Sequence, residues 1–231
     1  VPLRLHLSAP ALLFYPRAIT HHFHNPPIEG ADFTCAQLWF EGGPAHPLVR
    51  TLPGAIVLSL DEVEGLGASL ELLFAETARV RCGHRLLADR LFEVVLIQTL
   101  RWLLDHPREA GVPPGLVTGL SDPRLARALV AMHDAPGEPW SVEQLAVVAG
   151  MSRTGFTSLF RQLVGQTPAD YLGDWRIGLA QTGLARGSSI KQLASELGYA
   201  NPSALSRAFA AKVGHSPREW LRGSLPPAPP A

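Results

Sequence analysis

Two short polar runs in the C-terminal half carry the side chains with the most chemistry to offer. The first is Arg153, Thr154, Thr157, Ser158 and Arg161; the second is Ser203, Ser206 and Arg207. At helical spacing each set falls on one face. An arginine fork can grip a guanine edge or a phosphate through two parallel N–H donors, and the short hydroxyls beside it both donate and accept. Lys191 and Lys212 add point charges suited to phosphate oxygens. No Gly-rich phosphate loop, convincing nucleophile–base set or paired-carboxylate motif accompanies them, so binding rather than bond-breaking is the chemistry on offer.

The front half holds two weaker sets. His22 and His24, at i and i+2, would share a strand face as metal ligation requires, with His21 and Glu29 nearby. A further histidine from another strand is restricted to His6 or His46. The preferred reading is therefore a polar strand end before the Asn25-Pro26-Pro27 turn, and no metal or cofactor is expected. Cys35 and Cys82 are read first as small buried apolar side chains. The sharper alternative is a redox switch, because Arg79, Arg81 and His84 flank Cys82 and would favour its thiolate. With His21, the two cysteines are the candidate sensor residues.

The polar runs need elements to present them, and a degenerate internal repeat supplies these. Leu145, Ala146 and Gly150 recur as Leu193, Ala194 and Gly198, an offset of 48. Ser152, Phe156, Phe160, Gly165 and Pro168 recur as Asn201, Leu205, Phe209, Gly214 and Pro217 at an offset of 49, so the second turn has one extra residue. Tyr171-Leu172 and Trp220-Leu221 extend the match. Each copy reads as helix-turn-helix. Ser141 and Ser189 cap a first helix, Gly150 and Gly198 turn, and Ser152 and Asn201 cap a second helix whose apolar stripe is buried. The polar runs then face outward from the second helices, as a groove-reading helix requires. Between the copies, Ala169 to about Arg186 is expected to be a helix apolar on one face at Leu172, Trp175, Ile177, Leu179 and Leu184.

Upstream, strands are expected at Leu3–Leu7, Ala11–Tyr15, Phe33–Phe40 and Ala55–Leu60. Two helices should follow. One buries Leu66, Leu70, Leu73, Phe74 and Ala78; the other runs from His84 to about Asp105 with Leu87, Leu91, Val95 and Leu104 inward. Glu62, Glu64, Glu71, Glu76, Arg79, Arg81 and Arg85 read as solvated faces, and Trp102 and Trp140 as core. The division expected is 1–110 as a front domain, 111–120 as a Pro/Gly-rich linker, 121–223 as a helical domain, and 224–231 as a disordered tail.

Composition sets the bounds. Hydrophobic residues are 46% and charged ones 17%, which marks a globular rather than a disordered chain. No apolar run is long enough for a transmembrane helix, no secretion leader is expected, and two cysteines suit a reducing cytoplasm. Val1 is not Met, so the translational start is expected to lie upstream. Net charge is zero, yet residues 121–231 carry 11 Lys and Arg against 8 Asp and Glu, a balance of +3. This is a mild form of the asymmetry expected where one half meets nucleic acid.

With these residues in place, the chain resembles the AraC/XylS family of bacterial transcription regulators over about 121–222. The likeness rests on Trp140-Ser141-Val142-Glu143-Gln144-Leu145-Ala146, Gly150-Met151-Ser152-Arg153, Gly165-Gln166-Thr167-Pro168-Ala169-Asp170-Tyr171-Leu172 and Trp175-Arg176. It continues through Leu193-Ala194, Leu197-Gly198-Tyr199, Ser206-Arg207-Ala208-Phe209, Gly214-His215-Ser216-Pro217 and Trp220-Leu221. Ala204-Leu205 departs from the family, which more often has Phe there. Pro16, His21 and Asn25 are similar in spacing to the second cupin motif, with Ala18 where glycine is usual, and the first motif would lie upstream. Cys35, Leu52-Pro53, Leu100-Arg101 and Asp122-Pro123-Arg124 fit the cupin-bearing branch too.

The resemblance implies an α+β chain: a partial cupin-like β domain with helices, then an all-α double helix-turn-helix domain of seven helices. It implies promoter DNA and RNA polymerase as partners, a small-molecule or redox signal read by the front domain, and homodimerisation through 64–105. A cupin enzyme is the rival from another class, and the tandem repeat argues against it. A regulator that has lost DNA binding and works through partners is the third reading.

Overall fold

The computed structural model describes residues 4–24, 30, 33–38 and 46–224. These divide between two compact units, one drawn from Val1–Trp39 and Thr51–Pro113, the other from Phe40–Arg50 and Pro114–Ala231.

The elements of the front part are β1 (Ala11–Phe14), α1 (Pro47–Thr51), β2 (Ile56–Ser59), α2 (Leu66–Thr77) and α3 (His84–Asp105). In the first unit β1 and β2 pair antiparallel, Ala11 opposite Ser59 and Phe14 opposite Ile56. Ile56 and Leu58 are buried while Val57 is exposed, the period of two that a half-covered strand shows. Two of the four expected strands are therefore present. Residues 4–7 and 33–38 form no strand and are largely exposed, and 39–40 lie outside the described residues. A strand-like sequence cannot make a strand without a ladder partner, and among the described residues only β1 and β2 pair.

Helix α3 has the bounds its sequence pattern predicts, and it packs along α2. Leu66, Leu70 and Leu73 of α2 and Val95, Thr99 and Leu103 of α3 are buried. Thr99 satisfies its hydroxyl by donating to the Val95 carbonyl at 2.8 Å. Several expectations fail here. Phe74, Ala78 and Leu87 are exposed, Leu91 and Leu104 only half-buried, and Glu76 is buried rather than solvated, accepting from Arg81 at 2.7 Å. Cys35 and Cys82 are both exposed free thiols, so the buried reading of them is corrected.

The second unit adds α4 (Leu116–Leu120), α5 (Pro123–Asp134), α6 (Val142–Ala149), α7 (Arg153–Val164), α8 (Pro168–Ala185), α9 (Ile190–Glu196), α10 (Pro202–Val213) and α11 (Pro217–Ser224). The seven expected helices are α5 to α11. Helix α4 is a further one, inside the stretch 111–120 read as a linker. Its Leu116, Val117, Thr118 and Gly119 are buried, and the Gly115 N–H and Thr118 hydroxyl both donate to the Leu163 carbonyl, at 2.9 and 2.6 Å.

The described residues of this unit form two hydrophobic cores. The first joins Leu116, Leu125, Leu129, Met132, Leu145, Phe156, Phe160, Tyr171 and Leu172, and Leu48 of α1 packs against it. The second joins Ile177, Ala180, Leu184, Leu193, Leu205 and Phe209. Helix α8 serves both, Tyr171 and Leu172 in one and Ile177, Ala180 and Leu184 in the other. At about 100° per residue these sets are centred roughly 160° apart around the helix, so the single apolar face expected for this segment is in fact two.

Candidate nucleic-acid interface

The first helix-turn-helix is α6–α7. Ser141 caps α6 in a reciprocal pair: the Ser141 N–H donates to the Gln144 side chain at 2.8 Å and the Gln144 N–H to Ser141 Oγ at 3.2 Å. Gly150 closes α6 at φ +68°, a conformation that a side chain resists. Ser152 then caps α7, accepting from the Gly155 N–H at 3.2 Å. Arg127, from α5, donates to the Ala149 carbonyl at 2.8 Å and the Val148 carbonyl at 3.3 Å, satisfying the last carbonyls of α6.

The second unit, α9–α10, repeats this construction. Ser189 caps α9 through the Gln192 N–H, and Asn201 caps α10 through the Ala204 N–H at 2.8 Å with Pro202 in the first turn. The Met151 N–H donates to Ala146 in the first turn and the Tyr199 N–H to Ala194 in the second, both at 2.9 Å. The acceptors, Ala146 and Ala194, are a pair equated at an offset of 48, and the donors are spaced alike. Helices α7 and α10 are both 12 residues long, begin 49 positions apart, and end on Gly165 and Gly214. The sequence repeat is thus a repeat of caps, turns and buried stripes.

Outward from these stripes stand the residues expected to bind. Arg153, Thr154, Ser158 and Arg161 of α7 are exposed and Thr157 is half-exposed; Ser203 and Arg207 of α10 are exposed and Ser206 is half-exposed. Arg153 pairs with Glu143 of α6 at 3.0 Å across an open surface, a contact a ligand can replace at little cost. Thr157 donates to the Arg153 carbonyl at 2.9 Å, which leaves its oxygen to accept. Arg161, Lys191 and Arg207 form no ion pair among the described residues. Lys212 differs from expectation, for it is paired with Asp174 of α8 at 2.6 Å.

The contacts of two arginines escaped the sequence reading, Arg176 having entered it only through the family likeness. Arg127 and Arg176 reach carbonyls more than 20 and about 40 positions away. Backbone acceptors leave no side-chain pattern to find. Of the candidate sensors, Cys82 lies in the turn between α2 and α3, Cys35 is exposed in an irregular segment, and His21 stacks on Tyr15 with its ring 4.8 Å away. Asn25 and Glu29 lie outside the described residues. No group of three or more metal-ligating side chains gathers among the described residues, and no helix among them is long and apolar enough to cross a membrane.

Known proteins resemble both parts of the chain. A family model described as Cupin matches residues 2–105, and one described as Helix-turn-helix domain matches 145–223. The HTH-type transcriptional regulator AlkR of Acinetobacter baylyi is 34% identical over 183 residues, 77% of this chain and 59% of that protein. A putative AraC-like transcription regulator of Streptomyces antibioticus is 37% identical over 164 residues, 71% of this chain and 54% of that protein. This chain therefore spans little more than half the length of either. The RCS-specific HTH-type transcriptional activator RclR of Escherichia coli is 36% identical over 215 residues, covering 90% of this chain and 74% of that protein. Caps, turns, repeat and these likenesses agree: the chain belongs to the AraC-like family of helix-turn-helix transcription regulators, with a cupin portion in front.

Proposed function

We propose that this chain is a sequence-specific DNA-binding transcriptional regulator that reads two consecutive major grooves with one polypeptide. The observation that carries this is the pair of equivalent helices, α7 and α10, each offering an outward Arg–Ser/Thr face and each seated on the same helix, α8. Eighteen residues make α8 about 27 Å long. With a packed unit at each end, that matches consecutive groove faces on one side of a duplex, roughly 34 Å apart. In this reading Arg153, Thr154, Thr157 and Ser158 lie in one groove and Ser203, Ser206 and Arg207 in the next. Arg161 and Lys191 grip phosphates, and Lys212 does so by exchanging Asp174 for the backbone.

The front unit modulates this activity in the cytoplasm, where promoter DNA and RNA polymerase are the partners. Leu86, Leu87, Val94 and Ile97 of α3 are exposed, an apolar stripe suited to homodimerisation through 64–105. Val94→Glu should shift a dimer to monomer in light scattering; an unchanged mass would exclude this face. The exposed thiols of Cys35 and Cys82 meet the first requirement of a redox signal. An oxidant that changes neither thiol titre nor DNA affinity would remove that role.

Selection of bound duplexes from a random pool at two salt concentrations tests the whole reading. An enriched site of two short blocks about one helical turn apart is expected. Weak binding without sequence preference, lost at the higher salt, would overturn it.

A further inference from the structure

We infer that Arg176 is a positioning residue that fixes the angle between the two helix-turn-helix units, and so sets the spacing of DNA blocks that the chain accepts. The inference rests on the tandem reading just proposed. Each core grips α8 on a different face, and no buried side chain belongs to both. The angle between the units would therefore follow any small reseating of either core on the helix. A contact made directly between the units removes that freedom.

Arg176 makes such a contact. Its Nε donates to the Pro136 carbonyl at 2.6 Å and its Nη2 to the Glu138 carbonyl at 2.9 Å, both in the loop that leads into α6. The other side of the guanidinium region meets the second unit, with Cζ 5.8 Å from the centre of the Tyr199 ring. Tyr199 sits in the turn between α9 and α10. One planar fork thus joins the entry to the first unit with the turn of the second.

Beside it the two backbones touch. A Cβ on Gly137 would lie 2.5 Å from the Glu196 carbonyl oxygen, and a Cβ on Gly198 would run into the Gly137 carbonyl. Gly198 also has φ +72°, so it is constrained both by its own turn and by its neighbour. In the chain free of DNA, Asp174, two residues before Arg176, also pairs with Lys212 of α10. A charged fork with two carbonyl acceptors has little rotational play, whereas an ammonium could satisfy only one of them in a fixed direction.

The test uses duplexes carrying both blocks at spacings varied by single base pairs, and duplexes carrying one block alone. Rigid linkage multiplies affinity only when both sites are in reach, so the wild-type chain should lose roughly ten-fold when spacing departs from its optimum. Arg176→Gln should bind single blocks as the wild type does, with its off-spacing loss reduced to about two-fold. Arg176→Lys, which keeps charge and length, should fall between the two and is read alone if the glutamine variant does not fold. A folded variant that binds every duplex more weakly but keeps the wild-type spacing profile makes Arg176 merely structural and overturns the inference. A wild-type chain with no spacing optimum would instead overturn the tandem reading beneath it.

Discussion

His133 shows how burial turns a single side chain into a pH dependence. Its ring stacks on Trp175 at 3.9 Å and shares a 2.7 Å hydrogen bond with the Tyr171 hydroxyl. Burial holds its pKa down to about 4 from the ordinary 6.5, so the native state keeps it neutral where the unfolded chain would protonate it. Stability from this site is complete above about pH 6.5 and is lost as pH falls towards 4. After allowance for partial exposure, the loss should be about 1–2 kcal/mol. Melting curves at pH 7, 5.5 and 4.5 should show a steeper decline for the wild type than for His133→Gln, and equal slopes would refute the assignment. Arg207→Ala should cost about 1–3 kcal/mol of DNA affinity and relax preference at one base position if its fork reads guanine. A loss equal on all sequences would mark a phosphate contact instead. The outward placement of these residues was legible because helical spacing separates them from Phe156, Phe160, Leu205 and Phe209. The pairing of Lys212 was not, since Asp174 lies 38 positions away and only the fold brings it near.

Helices were more readable than strands, and the reason is where each finds its hydrogen-bond partners. A helix satisfies its backbone locally, so Ser141, Ser152, Ser189 and Asn201 announce their helices without reference to the rest of the chain. The stretch 3–7 alternates like a strand and 33–40 is rich in strand-forming residues, but a strand needs a neighbour that the pattern does not name. Helix α4 was hidden by its five-residue length and by Pro113-Pro114 just before it. Once present, it packs closely: a Cβ on Gly119 would lie 2.8 Å from both Leu129 Cδ1 and Val164 Cγ2. Gly119→Ala should therefore destabilise the helical unit by about 1–3 kcal/mol through overpacking. Denaturant titration checks this. Unchanged stability would mean that α4 can shift freely against α5 and α7.

For the whole molecule, charge matters through its placement rather than its sum. The net charge is zero, yet Arg161, Lys191 and Arg207 stand exposed among the capped helices of the second unit. Counterion release then predicts that Lys191→Ala lowers the slope of log affinity against log salt by about 1 while leaving sequence preference intact. A parallel line shifted downward would place Lys191 away from the backbone. The change from a mixed front to a helical back could be read from the change of pattern along the chain, but not the packing of Leu48 of α1 into the helical unit. The existence of two cores in the back unit could not, because Leu172, Trp175, Ile177, Leu179 and Leu184 look like one stripe until their angles are assigned to different partners.

The double use of α8 also limits how such a protein can change over generations. Inserting one residue between Leu172 and Ile177 would turn the second core by about 100° relative to the first and advance it by about 1.5 Å. Both recognition surfaces would then no longer face the same side of a duplex. Small insertions and deletions in this helix are therefore closed as routes to a new operator. Divergence is channelled into substitutions on the outward faces of α7 and α10, where a base preference can change while the reach of the molecule stays fixed.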